Sequence, residues 1–222
     1  FKKKLIQPVL DGKLTHEVSL WNFIRVTVQL KRNEKNSFSD LLSIPGLKSI
    51  IVSSFALGVA FGGYIPLQSL WLESLGRPFN QIGLTNGIVG LGIIISAYFV
   101  PRFVKLLGIT NMILIGLFLA IISASSFRLT ENLYLWLIIK FTKGLGLGLH
   151  WVLSEAWLIK ISSPKIRPKA IAVYAVAMSL GFAGGPAIIW IFGHTTFLPF
   201  LCISVVLAIT AIPFLFIKKY EP

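Results

Sequence analysis

Six apolar runs, each close to the thickness of a bilayer's hydrocarbon core, constrain this chain more than any motif in it. They fall at about 49–72, 82–101, 109–127, 134–159, 168–192 and 196–217, separated by charge, glycine, proline or polar clusters. Roughly 20 apolar residues in a helix cross hydrocarbon. Strands are excluded for these runs, because an open sheet in lipid leaves backbone groups unpaired and the runs lack the alternation of a barrel wall. The expected fold is an all-α membrane protein with six transmembrane helices. The composition, 55% hydrophobic and 13% charged, agrees.

The net charge of +13 raises nucleic-acid binding as a function, but that needs basic side chains gathered on a soluble face. Here they crowd the N-terminal segment and the short loops. Of 21 Lys and Arg, all but Arg77, Arg128, Lys140 and Lys143 fall on one side of the six-span arrangement. Cytoplasmic loops carry such an excess, so both termini are expected in the cytoplasm and nucleic acid is excluded as a partner. The single cysteine, Cys202, permits no internal disulfide, and no zinc-ligand spacing occurs.

Residues 1–47 are expected to form a cytoplasmic segment. An Asp11-Gly12 turn signal and alternation through Ile24, Val26, Val28 and Leu30 suit a short hairpin. The segment is too small for a core of its own and has no assignable function. The bundle proper is expected over 48–219. The chain starts at Phe1, with no signal-peptide pattern, and is expected to be part of a larger transmembrane assembly.

The fourth run is the anomaly. It carries Lys140, Lys143, His150 and Glu155 through what should be lipid, and charge there normally faces a partner or a polar cavity. At about 100° per residue, Lys143, Leu147, His150 and Ser154 share one line, with Lys140 to one side. One reading is a face lining a solute or proton pathway, where the lysines attract an anionic group and His150 exchanges protons. The other is structural, with Lys140 snorkelling to the interface and His150 bonding a neighbouring carbonyl. Tyr64 and Gln68, four apart on one face and flanking Pro66 in the first run, and Asn86 in the second are further candidates for the pathway. Glu155 lies near the cytoplasmic end, within reach of Arg102, Lys105 or Arg167, which suits a gating latch; a titrating carboxylate is the alternative.

Small residues mark close packing. Gly144 and Gly148 form a GxxxG, as do Gly181 and Gly185, the latter followed by Pro186, where a kink is expected. Gly83, Gly87 and Gly90 in the second run suggest another packed face. Trp, Tyr and Phe near the run ends are read as interfacial anchors.

Taken together, LWLESLGRPFNQIGL, KFTKGLGLGLHWVLSEAWL and RPKAIAVY make residues 49–217 resemble the N-terminal half of a major facilitator superfamily transporter, of the uncharacterised bacterial permease branch near drug and sugar transporters. The resemblance implies a six-helix half built as a 3+3 inverted repeat. It implies a missing C-terminal six-helix half or a second copy as partner, and a bacterial inner-membrane location. Lys140, four before Gly144, matches the position of a basic residue linked to proton coupling, with lysine where arginine is usual. Gly181, Gly185 and Pro186 match the fifth-helix motif in part, since Ile189 and Trp190 stand where paired glycines are usual. Arg102, Lys105 and Gly108 match the cytoplasmic gating loop without its acidic residue, and Glu155 suits the acidic partner of that loop.

The expected function is secondary active transport of a small solute by alternating access, proton-coupled, without a cofactor or bound metal. The alternative is a non-transporting membrane assembly protein derived from a transporter half. No nucleophile with a base, paired carboxylates or metal cluster supports an enzyme.

Overall fold

The chain divides into two units, residues 1–43 and Ile44–Pro222. A computed structural model describes residue 44 and residues 46–217, the side chains of 213, 216 and 217 excepted. The expected hairpin lies outside the described residues.

Among the described residues there is no strand. The chain runs through α1 (Leu47–Ser74), α2 (Phe79–Leu107), α3 (Ile109–Ser126), a 3-10 turn (Phe127–Leu129), α4 (Leu133–Ile161), α5 (Arg167–Gly184), α6 (Ala187–Phe192) and α7 (Leu198–Ile217). Four segments are long and apolar enough to cross a membrane: Leu47–Ser74, Phe79–Leu107, Ile109–Leu129 and Arg167–Phe192. Leu198–Ile212 is a shorter apolar helix. The 29-residue α4 falls outside this set because Lys140, Lys143, His150, Glu155 and Lys160 dilute its apolar surface.

Helix ends differ from the sequence expectation in two places. Arg102 and Lys105, expected in a loop, lie within α2, which continues through Pro101 on the apolar run Phe103, Val104, Leu106 and Leu107. It stops only at Gly108, whose φ of 80° suits glycine and which also opens α3. The fifth run is split at Gly185-Pro186. Both residues keep right-handed helical dihedrals, but proline has no N–H to give the carbonyl four residues back, that of Phe182. At the start of α4, Asn132 accepts from the backbone N–H of Tyr134 (2.8 Å) and Leu135 (3.4 Å), an N-cap that fixes where the charged helix begins.

The packing order is an exchange. The first helix packs mainly on α5 and α7, while α4 packs mainly on α2 and α3; α3 and α7 also meet. Backbone proximity at glycine makes both main contacts. A Cβ on Gly144 would run into the backbone of Val89, and one on Gly148 into Ile93 and Ser96 of α2; one on Gly92 would meet the α4 backbone at Leu145 N, 2.8 Å away. On the other side, Gly58 faces Met178, Gly181 faces Phe55, and Gly185 faces Gly63. Gly62 faces the carbonyl of Phe182, the one Pro186 leaves without its helical donor. In a medium where apolar burial drives little helix association, such close approach supplies dispersion contact instead.

Gly83, Gly87 and Gly90, expected at a packed face, meet nothing within 4 Å. Among the described residues of α2 it is Gly92 that makes the contact, because Gly92 shares the face of Val89 and Ser96 that turns to α4.

Candidate functional site

The charged face of α4 is sealed within the bundle. Lys143, Leu147, His150 and Ser154 are all buried, as the shared line predicts for one face, and that face meets α1. Lys143 Nζ donates to Gln68 Oε1 at 3.3 Å and stands 3.6 Å from the Tyr64 ring centroid. Tyr64 in turn donates to the carbonyl of Ala124 (2.9 Å), one of the last in α3, where helical partners run out. One turn up, Lys140 is fully buried and turned towards α2. It donates to Asn86 Oδ1 (2.8 Å) and Thr85 Oγ1 (3.0 Å). Asn86 Nδ2 passes the chain to Ser69 of α1 at 3.0 Å. The five residues Tyr64, Gln68, Asn86, Lys140 and Lys143 thus form one polar seam joining α1, α2, α3 and α4.

Lys140 does not snorkel; its stem and head are both enclosed. His150 pairs with side chains, Nε2 with Ser53 Oγ at 2.7 Å and Nδ1 with Ser154 Oγ at 3.5 Å, and also interacts with the Ser53 backbone, while the ring lies edge-on to Phe214. This second polar cluster sits lower on the same face. Beside it, Ser54 donates to the carbonyl of Tyr174 in α5.

One feature of the seam had no sequence signal. Trp71 and Trp136, expected as interfacial anchors, are buried, with Trp136 at 0% exposure. Together with Tyr64, Phe127 and Phe200 they make an aromatic cluster whose neighbouring centroids are 5.5–6.4 Å apart. Trp190 and Tyr134, by contrast, are exposed. Spacing places a tryptophan near a helix end but does not say which way it turns. Thr85 was also missed; its neighbour Asn86 was the one visible hint.

The gating candidates gather at the other end. Lys105 and Arg102 lie on the last turns of α2, the Arg102 guanidinium 5.8 Å from the Tyr98 ring. Arg167 opens α5 and donates to the carbonyl of Ser162 at 3.2 Å, while its Nε is buried without a partner. Glu155 is exposed in a groove of about 330 Å³ lined by Trp151, Tyr174, Met178 and Phe182. Among the described residues no ion pair joins Glu155 to Arg102, Lys105 or Arg167. Nor do His, Cys, Asp and Glu gather there into a set able to hold a metal.

The sequence matches the family model described as Major Facilitator Superfamily over residues 50–222. The uncharacterized MFS-type transporter YfkF of Bacillus subtilis (strain 168) is 25% identical over 150 residues, covering 66% of this chain and 38% of that protein. Multidrug resistance protein 2 of the same organism is 25% identical over 174 residues, 78% of this chain and 42% of that protein. An uncharacterized MFS-type transporter of Yersinia pestis (strain Pestoides F) is 26% identical over 125 residues, 56% and 33% respectively. The chain spans about two fifths or less of the relatives it matches.

Proposed function

Since the chain belongs to the major facilitator superfamily, we propose that it forms the N-terminal six-helix half of a secondary active transporter, moving a small solute by alternating access. The observation that carries the proposal is the buried seam of Lys140, Lys143, Tyr64, Gln68 and Asn86. Two ammonium groups enclosed at the junction of four helices are costly as filler, and a pathway that opens in turn to each side gives them a use.

The packing exchange supports a 3+3 inverted repeat. Pairing α1, α2, α3 with α4, the α5–α6 segment and α7 maps the α1–α5 contact onto the α4–α2 contact, each closed by glycine. Six spans, with both termini in the cytoplasm, follow from that repeat and the one-sided placement of basic residues. A second six-helix half, or a second copy of this one, completes the pathway. The bacterial relatives support the inner (plasma) membrane as the location. Glu155 with Arg102, Lys105 and Arg167 makes a cytoplasmic latch that pairs in another state of the cycle; their common end of the bundle and the unpartnered Arg167 Nε support this. Proton coupling is assigned to the lysine pair, Lys140 foremost.

The test is reconstitution of the full-length protein into proteoliposomes, with counterflow of a panel of sugars, organic acids and lipophilic cations, with and without an imposed pH gradient. Flux of at least one solute, lost in Lys143→Ala, is expected. A folded protein that moves none of them under either condition overturns the transport reading.

A further inference from the structure

We propose that the solute carries an anionic group, received by a file of four cations, Arg77, Arg128, Lys140 and Lys143, each held over a ring of the aromatic cluster, with the Gln68 amide at the inner end. This rests on the transport reading and names the chemistry of its substrate.

The four cations are distributed one to a ring. Arg77 lies 5.1 Å from the Trp136 centroid, Arg128 5.7 Å from Trp71, Lys140 5.2 Å from Phe127 and Lys143 3.6 Å from Tyr64. These are all the basic residues assigned neither to the cytoplasmic side nor to the N-terminal segment. The two arginines are half-buried at the outer ends of α1–α2 and α3–α4; the two lysines lie deeper and are enclosed. The cations thus step from half-buried arginines to enclosed lysines.

A ring face attracts a cation but accepts no conventional hydrogen bond, so it steadies the charge while leaving N–H donors unspent. Among the described residues none of the four forms an ion pair. Lys143 has three donors and one bond, at 3.3 Å, while Arg77 spends one N–H on the carbonyl of Glu131. Next to Lys143, Gln68 is 1% exposed and its Nε2 makes no hydrogen bond of good geometry, the Tyr64 hydroxyl being the one weak acceptor beside it. With both lysines protonated, the seam holds an excess of donors and positive charge, in surroundings where an unanswered donor is costly. A cationic solute would add to that excess, and a neutral one would leave the charge unanswered. A carboxylate or phosphate brings only acceptors, of the charge-assisted kind. When the α1–α4 seam opens, Lys143 Nζ and Gln68 Nε2 are the pair that would meet it.

The test is titration calorimetry of the full-length protein, in maltoside detergent free of anionic lipid, with benzoate, benzyl alcohol and benzylamine as probes of one shape and three charges, and inorganic phosphate as a fourth. Saturable binding of benzoate or phosphate alone is expected. It should weaken by roughly tenfold or more in Lys143→Met and Lys140→Met and by a smaller factor in Gln68→Leu, and survive in Lys143→Arg, with melting curves showing each variant folded. Equal binding of benzylamine or benzyl alcohol, unchanged benzoate binding in a folded Lys143→Met, or no binding of either anion overturns the inference. Lysine-independent flux of neutral solutes would overturn it and leave transport standing. Benzoate binding without flux of any solute would do the reverse.

Discussion

Replacing Gly144 with alanine tests whether backbone contact, rather than side-chain chemistry, holds α4 on α2. The added Cβ would fall 3.0 Å from both C and Cα of Val89 and closer still to its carbonyl oxygen. Backbone atoms cannot rotate aside, so the helices must separate where Gly92 and Gly148 also require closeness. Overpacking of this kind costs about 1–3 kcal/mol, and contact with backbone puts it near the upper end. Alanine also improves helix propensity by about 1 kcal/mol over glycine, which partly offsets the clash. Gly87→Ala is the matched control: it gains the same propensity and meets nothing within 4 Å. The two variants should thus differ by about 2–3 kcal/mol. For a domain of this size that corresponds to roughly 4–12 °C between their melting temperatures. Cys202 is the single cysteine and is half-buried in α7, so its labelling by a thiol-reactive dye during heating reports the transition. If Gly144→Ala melts no lower than Gly87→Ala, the backbone-contact argument is wrong.

Further outcomes follow from the same geometry. Tyr64→Phe removes the donor to Ala124 O and should lower stability by about 1–3 kcal/mol, because a buried carbonyl is left unanswered; an unchanged melting temperature would mean the bond contributes nothing. Asn132→Ala strips the cap from α4 and should cost about 1 kcal/mol, read by the same melt, whereas Asn132→Asp or Asn132→Ser should retain most of it. Glu155→Gln, exposed and without an ion pair among the described residues, should leave the melting temperature unchanged while altering solute exchange in proteoliposomes. A large loss of stability would show that Glu155 is a structural group rather than a latch.

How much was legible depended on which force acts along the chain and which across it. The glycines of α4 and α5 could be picked out because a GxxxG repeats at helical spacing, and both sets do meet neighbouring backbone. The same logic failed at Gly83, Gly87 and Gly90, since spacing shows that a face is small and not whether anything approaches it. Lys140, Lys143, Tyr64, Gln68 and Asn86 stood out as polar groups in apolar runs and were expected along one pathway, but which of them would pair could not be read. Lys143 reaches Gln68 across 75 residues of sequence and Lys140 reaches Asn86 across 54. Arg102 and Lys105 looked like loop residues because charge and proline normally end a span, yet the apolar residues between them carried the helix on.

The sequence by itself determined that the apolar runs are helical and membrane-bound, because a bilayer penalises every unpaired backbone group regardless of what lies nearby. It also marked one helix whose buried charge needs an answer. Only the tertiary structure decided what answers that cost. The rings of Tyr64, Trp71, Phe127 and Trp136 come from two helices, α1 and α4, and a connecting turn, and a cation finds a ring face by direction, which no spacing along one chain encodes.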